Sequence, residues 1–422
     1  MLNRIEMTAM RAMLNKMKMK NLSVEIENNY AVHPAFKFDE ESWILPLQSL
    51  LQFNQKYIAA KAIGPLAKTR GWTNLCKDLI ENLRGILSSL RAQSFSRAER
   101  LFIDELESEC IRVLGEELKW YRKQQFSKFI DPTSEKVRND FIGLQGEGYF
   151  FGELSPKGLA ELARLAEVEL GNLRTNAATG RLKREDLSIT SGSIQNAIRK
   201  ELNREFQAIG VFEVLGAYTG CKVAVTGVAL ELSVPHSGWW ENSIGGLERP
   251  PRTLYAHFDE SIELPKAIVY LSDVNEKNGP TSCYPAVYDA LRLNPLQELI
   301  GRVVGNIGNS ENSPLKELYS KKYHQSMSSE LFRRHFMRLP ISLRFNSHFG
   351  WDIMPGGNLE EDLLKFERKM IGPAGSFVAF DGAKLLHRGG LIEEGERVAL
   401  QVIFGDGSMI ERVKGITKRI FK

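Results

Sequence analysis

The sequence lacks the features that mark several large classes of protein. None of its apolar runs approaches the roughly 18 residues of a membrane span, and its Met- and Lys-rich start has no continuous apolar signal core. The four cysteines, Cys76, Cys110, Cys221 and Cys283, show neither the close pairs of a zinc site nor a disulfide framework. We therefore expect a cytoplasmic protein with reduced, mostly buried thiols and no membrane partner.

The chain also lacks a strong charge of either sign. It carries 56 basic and 52 acidic side chains among 422 residues, a net charge of +4. The basic clusters KMKMK and ERVKGITKRIFK are short, whereas a nucleic-acid binder usually shows a strong basic stripe with stacking aromatic residues. We expect solvated surface at both clusters and no nucleic-acid partner.

The first third of the chain has the apolar spacing of helices. In ERLFIDELESECIRVLGEELKWY, apolar residues recur every three or four positions and form one stripe. A proline and several polar residues in FIDPTSEKVRND then indicate a joint. The pattern predicts a helical N-terminal region over residues 1–138, packed as a small bundle or against the rest of the chain.

A strand and a helix follow the joint. The β-type run from Gly148 to Gly152 leads to Ser155, a good helix N-cap residue, with Pro156 at the first helical position. We expect this helix to bury one apolar stripe. The predicted stripe consists of Leu159, Leu162, Leu165 and Val168.

The last half of the chain is rich in strands. KVAVTGVALELSVP, KAIVYLSDV, GSFVAFDG and RVALQVIFG are Val-, Ile- and Phe-rich runs bounded by Gly, Pro and Asp. Strands without regular intervening helices indicate an antiparallel sandwich or barrel. Residues 286–365 interrupt them as a long charged insertion, and we expect part of it to close over a site. The predicted second domain, residues 139–422, is therefore a mainly β core with an insertion.

Two histidines and one aspartate form the best candidate metal site. In RTLYAHFDES, His257 and Asp259 stand two positions apart, so an extended backbone projects both to the same side. His387 would join them from a distant strand. Two imidazoles and a carboxylate on one face of a metal leave open positions opposite, which is the arrangement of non-haem Fe(II) oxygenases.

Arg397 is the candidate residue for binding the carboxylate of an acidic co-substrate at such a site. A fixed guanidinium binds a carboxylate through two hydrogen bonds, where lysine offers a point charge. His387 ends one β-type run and Arg397 opens the next, with a Gly- and Glu-rich turn between them. If the two runs pair as a hairpin, these residues lie nearly opposite each other, about 5 Å apart at Cα, and serve one pocket.

Four ordered motifs resemble the phytanoyl-CoA dioxygenase-like family of Fe(II)/2-oxoglutarate oxygenases over residues 139–405. GEGYFFGELSPKGLAEL is similar to the opening strand and helix of that family, and AHFDES to its His-x-Asp motif. AIVYLSDVNEKNGPTSCYP is similar to its strand and Asn-Gly-Pro turn, and FDGAKLLHRGG with the later arginine to its closing motif.

The resemblance implies a double-stranded β-helix of the jelly-roll or cupin-like kind, with helices around it. It implies Fe(II) held by His257, Asp259 and His387, with 2-oxoglutarate anchored by Arg397 and O2 as the oxidant. One position departs from many related oxygenases, which place a hydroxyl two residues after the arginine. The chain has Ala399 there, and Thr281 and Tyr270 are two open candidates for the second anchor.

The expected function is hydroxylation of a small or carrier-tethered metabolite by an Fe(II)- and 2-oxoglutarate-dependent dioxygenase. Two alternatives stay open: an oxygenase that modifies a protein or nucleic acid docked by the N-terminal helices, and a non-catalytic binding protein of the same fold. The side chains of Trp239 and Trp240 either line a substrate mouth or pack at its rim. Arg249 and Arg252 either attract an anionic substrate or are solvated. The sequence leaves the substrate, the oxidised position and the oligomeric state open.

Overall fold

The computed structural model describes most of the chain between residues 37 and 407. The described ranges are 37–63, 69–123, 134–237, 256–259, 265–284, 293–304, 307–308, 312–315, 318, 329–340, 342–344 and 358–407. Every helix within these ranges is too short or too polar to span a bilayer.

Helices occupy the N-terminal part of the chain and the insertion. In chain order, those of the described ranges are α1 (Leu47–Ile63), α2 (Thr69–Ala92), α3 (Arg97–Lys123), α4 (Glu135–Gly146), α5 (Pro156–Ala178), α6 (Arg184–Leu187), α7 (Ser193–Ala208), α8 (Val211–Thr219), α9 (Pro295–Val304), α10 (Glu330–Arg338) and α11 (Asn358–Phe366).

The strands belong to two antiparallel sheets. They are β1 (Tyr149–Glu153), β2 (Ser188–Ile189), β3 (Val223–Ser233), β4 (Lys266–Tyr270), β5 (Thr281–Tyr284), β6 (Arg368–Met370), β7 (Ser376–Phe380), β8 (Leu386–Arg388) and β9 (Arg397–Asp406). The larger sheet has the order β1-β7-β4-β9-β3-β2, and the smaller has the order β6-β5-β8. The fold is therefore mixed, with helices and antiparallel sheets, and the four long strand predictions are confirmed.

One hydrophobic core joins the N-terminal helices to the insertion. The apolar stripes of α1, α2 and α3 bury their side chains together with Leu296, Leu299 and Ile300 of α9 and with Phe332 and Phe336 of α10. Helices α9 and α10 of the insertion are therefore part of the same helical core as α1–α3. The expectation of a lid elsewhere in residues 286–365 concerns positions that lie mostly outside the described ranges.

A buried ion pair fixes how this helical core is assembled. Arg302 of α9 pairs with Glu117 of α3, and both side chains are at most 3% exposed. The hydroxyl of Tyr57 on α1 donates to Glu117 Oε2 at 2.8 Å. A buried charge left without its partner costs several kcal/mol, so this contact selects the pairing of α9 with α1 and α3 over other apolar packings.

His335 should make the helical core sensitive to acid. It is buried beside Phe102, with ring centroids 5.5 Å apart, and burial lowers its pKa from the usual 6.5 to about 4. Because the folded pKa is depressed, the stabilisation is complete above pH 6.5 and is lost as the pH falls towards 4. At pH 5 we expect a loss of about 2 kcal/mol relative to pH 7.5 that His335→Gln does not show. Urea unfolding of both proteins at pH 7.5 and 5.0 measures this, and an equal pH dependence in the two would contradict it.

Alternation along the strands divides the larger sheet into two faces. One face, including Val225, Leu230, Leu400 and Val402, packs on helices α5, α7 and α8. Side chains of neighbouring strand residues point to opposite sides of a sheet, so the alternate residues form a second face. This second face is turned towards the smaller sheet. Residues of β3, β4, β7 and β9 on this second face line a cavity.

Helix α5 begins as predicted and packs Leu159, Leu162 and Leu165 of the predicted stripe against the core, but not Val168. The Ser155 hydroxyl accepts a hydrogen bond from Gly158 N at 3.0 Å, and Pro156 occupies the first turn. Leu162 is fully buried, whereas Val168 is 72% exposed, so its assignment to the buried stripe is wrong. Ala166, four positions after Leu162, lies about 40° from it around the helix and is buried, whereas Val168 lies about 120° away and faces solvent.

All four cysteines are free thiols. Cys110 and Cys283 are buried, and Cys76 and Cys221 are half-buried. Burial raises the pKa of Cys110 and of Cys283, so both thiols stay protonated and act as small apolar side chains. The prediction of reduced, mostly buried thiols is confirmed.

Candidate metal centre

The two histidines are direct neighbours across an isolated antiparallel bridge. His257 N donates to His387 O at 2.9 Å, and His387 N donates to His257 O at 3.0 Å. This double hydrogen bond ties the short extended segment 256–259 to β8. Asp259 N donates to Gly382 O at 2.7 Å, which holds the carboxylate-bearing end of the segment.

His257, Asp259 and His387 meet in one cluster. Asp259 Oδ1 lies 3.8 Å from His257 Nε2 and 3.6 Å from His387 Nε2, and one ligand atom of each residue lies within 4.8 Å of the others. Cis ligands about 2.1 Å from a metal would be about 3 Å apart, so a small contraction closes the set around an ion. The donor set of two imidazoles and one carboxylate suits Fe(II) with open positions.

His387 is held in the form that a metal ligand needs. Its Nδ1 lies 2.9 Å from Leu385 O, and a bond donated there leaves the Nε2 lone pair facing the cluster. Burial, together with the nearby Lys266 ammonium, lowers the pKa of His387 and so favours the neutral imidazole. The Phe380 ring packs edge-on against the imidazole, with centroids 4.9 Å apart.

Asp259 stays ionised despite its burial. Burial acts to raise its pKa, but the ammonium of Lys266, 2.6 Å from Oδ2, and the two imidazoles hold the pKa well below the usual value. A charged carboxylate is the stronger metal ligand. The cluster therefore presents an anionic carboxylate beside the neutral imidazole of His387.

Gly382 leaves the space that the Asp259 carboxylate occupies. A Cβ at this position would overlap Asp259 Oδ2, whereas a Cβ at Gly146 would meet no other atom within 4 Å. Gly382→Ala should therefore turn the carboxylate away and weaken metal binding by about 10- to 100-fold, as the loss of a supporting contact commonly does. Fe(II) or Mn(II) titration measures this, with Gly146→Ala as the control. Equal metal affinity in Gly382→Ala and the control would rule out this supporting role.

The cluster opens into a cavity of about 180 Å³ between the two sheets. Its wall carries His257, His387, Lys266 and Arg397, with Phe380 as an apolar side chain next to the cluster. Farther along, the wall carries polar residues together with apolar ones. The polar residues include Arg184, Ser188, Glu231, Ser233, Ser237, Thr281 and Gln401, and the apolar ones include Leu187, Leu232, Ile268 and Ile392.

Arg397 reaches this cavity by a different route from the expected hairpin. β8 pairs with β5 in the smaller sheet, whereas β9 pairs with β3 and β4 in the larger one. The predicted pairing of the two runs is therefore wrong. The Gly- and Glu-rich segment between His387 and Arg397 crosses from one sheet to the other, so the two residues face one cavity from opposite layers.

The Arg397 guanidinium is anchored with one donor left over. One terminal nitrogen donates to Gly279 O in the Asn-Gly-Pro turn, and the other donates to Ser233 Oγ at 3.1 Å. Arg397 is 9% exposed, and its Nε has no hydrogen-bond partner among the described residues. A buried guanidinium held by neutral oxygens alone is suited to receiving an anion.

The structure distinguishes between Tyr270 and Thr281, the two candidates for the second co-substrate anchor. The hydroxyl of Tyr270 donates to Met370 O at 2.8 Å and accepts from Thr281 N, so it is engaged behind the cavity wall. Thr281 lines the cavity, as does Ala399. Sequence reasoning missed Ser233 and Lys266, although alternation along KAIVY places Lys266 on the same face as Tyr270. Trp239, Trp240, Arg249 and Arg252 lie outside the described residues.

Comparisons with known proteins give distant structural matches only. No protein-family model matches the chain, and no curated protein is similar to it. AviO1 from Streptomyces viridochromogenes Tue57 matches at 13% identity and a TM-score of 0.33, over 65% of this chain and 97% of its own. EctD from S. alaskensis, solved in its apoform, matches at 15% and 0.33, over 66% of this chain and 78% of its own.

A third match is SnoN, described as a non-haem alpha-ketoglutarate-dependent epimerase from nogalamycin biosynthesis. It matches at 12% identity and a TM-score of 0.31, over 64% of this chain and 83% of its own. EctD has also been solved with bound Fe and with 2-oxoglutarate and 5-hydroxyectoine. Matches at this distance transfer neither a substrate nor an activity to this chain.

Proposed function

We propose that this protein is an Fe(II)- and 2-oxoglutarate-dependent dioxygenase of the phytanoyl-CoA dioxygenase-like family, with a double-stranded β-helix core. We propose further that it hydroxylates a small or carrier-tethered metabolite. One observation carries the proposal: His257, Asp259 and His387 meet at the end of a cavity whose wall also holds the buried guanidinium of Arg397. A metal ligand set and a carboxylate anchor in one cavity are what such an enzyme requires.

The residues present fit the metal and the co-substrate. His257, Asp259 and His387 would hold Fe(II), and the leftover donor of Arg397 would face the far carboxylate of 2-oxoglutarate. Iron with 2-oxoglutarate and O2 supplies the oxidising chemistry that no side chain of the protein has. The protein's own share is to position both groups and to exclude water, which Phe380 and Ala399 do on the cavity wall.

The cavity wall supports a polar small-molecule substrate. Beyond Arg397, the lining includes Arg184, Glu231, Ser237 and Gln401, which offer both donors and acceptors. A purely aliphatic substrate would leave these groups without partners, at a cost in affinity. The N-terminal helices bury their apolar faces against α9 and α10 of the same chain, so those faces offer no docking surface for a macromolecule.

The proposal is tested in two stages. Fe(II) and 2-oxoglutarate added without O2 should give a metal-to-ligand charge-transfer band, which Asp259→Ala should lack. Admission of O2 with pooled small metabolites should then release succinate above the level without substrate. Absence of the band in the wild type would point to a non-catalytic binding protein of the same fold.

A further inference from the structure

Lys266 places a buried cation inside the candidate metal centre. Its Nζ lies 2.6 Å from Asp259 Oδ2 and 3.0 Å from His387 Nε2, and it sits 5.1 Å above the centre of the Phe380 ring. The side chain is 14% exposed. The roles proposed for the three metal ligands and for Arg397 do not account for this ammonium.

A bound metal changes the surroundings of Lys266. The Nε2 lone pair of His387 accepts a hydrogen bond from the ammonium here, and a metal ion would take the same lone pair. Asp259 would then share its single negative charge between the metal and the ammonium. Two neighbouring cations with one carboxylate leave a positive excess in a partly dry site, which is costly unless an anion joins them.

The described part of the cavity wall has no side chain to supply that anion. Glu231 is the acidic residue in this part of the wall. It pairs with Ala399 of β9, and Ala399 pairs with Tyr270 of β4, so Glu231 lies level with Tyr270 in the sheet. Lys266 is four residues farther along β4, about 13 Å away at a rise of about 3.3 Å per residue. The missing negative charge must therefore come from what binds in the cavity.

We propose that Lys266 binds the carboxylate of the oxo-acid co-substrate that lies beside the metal. This inference rests on the proposed function. Lys266 is paired with Ile403 of β9, whereas Arg397 lies six residues earlier on that strand, so the two cations serve opposite ends of the cavity. Lys266 thus provides an anchor at the metal end of the cavity, opposite the end that Arg397 serves.

The test separates the two ends of the co-substrate with two probes. Mn(II)-loaded protein is titrated by calorimetry, without O2, with 2-oxoglutarate and with oxalate, which chelates a metal but has no far carboxylate. Lys266→Met should weaken both by about 10- to 150-fold, the range expected for a lost charged hydrogen bond. Arg397→Lys should weaken 2-oxoglutarate and leave oxalate unchanged. Lys266→Arg, which keeps the charge, should recover part of the oxalate affinity.

Metal affinity provides the second readout. Without any acid, Lys266→Met should bind Mn(II) at least as tightly as the wild type, because a competing cation has been removed. Lys157→Met, an exposed change on α5, is the matched control, and thermal unfolding checks that each variant is folded. Wild-type affinity for both acids in Lys266→Met would overturn the inference, as would a parallel loss of Mn(II) binding. Failure of the wild type itself to bind Mn(II) and 2-oxoglutarate would instead overturn the proposed function.

Discussion

Asp259→Ala should lower Fe(II) affinity by more than about 100-fold, since even the loss of a contact that supports a ligand commonly costs 10- to 100-fold. The substitution removes the anionic donor of the cluster and leaves two imidazoles beside the Lys266 ammonium. The positive charge of the ammonium then repels the metal ion, and the proposed hydroxylation should be lost. Titration with Fe(II) in the absence of O2 measures the affinity directly.

Two further variants make this result interpretable. Asp259→Asn keeps the size of the side chain and removes its charge, so we expect an affinity between those of the wild type and Asp259→Ala. Asp104→Ala removes an exposed aspartate of α3 and should bind iron normally. Full iron affinity and turnover at limiting Fe(II) in Asp259→Ala would show that the proposed ligand set is wrong.

Arg397→Ala should separate co-substrate binding from metal binding. If the guanidinium pairs with the far carboxylate of 2-oxoglutarate in a partly dry cavity, its loss costs on the order of 2 to 5 kcal/mol, or roughly 30- to 5000-fold in affinity. Iron affinity should hardly change, because the guanidinium is bound to Gly279 and Ser233 and to none of the three ligands. The measurement is 2-oxoglutarate titration without O2, with Fe(II) binding followed separately.

A graded series strengthens this prediction. Arg397→Lys keeps the charge but loses the forked geometry, so its affinity should fall between those of the wild type and Arg397→Ala. Arg164→Ala, on the exposed side of α5, is the matched control. If Arg397→Ala binds 2-oxoglutarate with wild-type affinity, Arg397 does not bind the co-substrate, and its role is limited to its hydrogen bonds with Gly279 and Ser233.

Local patterns in the sequence were sufficient to predict most secondary structure near the site. KAIVY and RVALQVIFG form β4 and β9, and Ser155 caps α5, because β-branched runs and capping residues act over a few positions. The same local rules failed for Val168. A run of Leu and Val at helical spacing fits more than one stripe, and only the neighbours of α5 decide which stripe is buried.

The partners of each element could not be read from the chain. An amphipathic helix such as α9 shows that one of its faces is buried, but complementary shape and the Arg302–Glu117 pair select the N-terminal helices as its neighbours. The hairpin of β8 and β9 was inferred from their closeness in sequence. The structure places them in different sheets because β5 and β4 offer the matching edges.

The sequence by itself determined the chemistry offered at the site. His257 and Asp259 were identifiable because residue type and two-residue spacing decide which donors an extended segment presents, and His387 and Arg397 through the resemblance of the closing motif to that of a known family. Tertiary structure alone decided that these side chains face one cavity and that the Lys266 ammonium lies among them. Such contacts depend on strands far apart in the chain, whose register and layer are set by packing over the whole core.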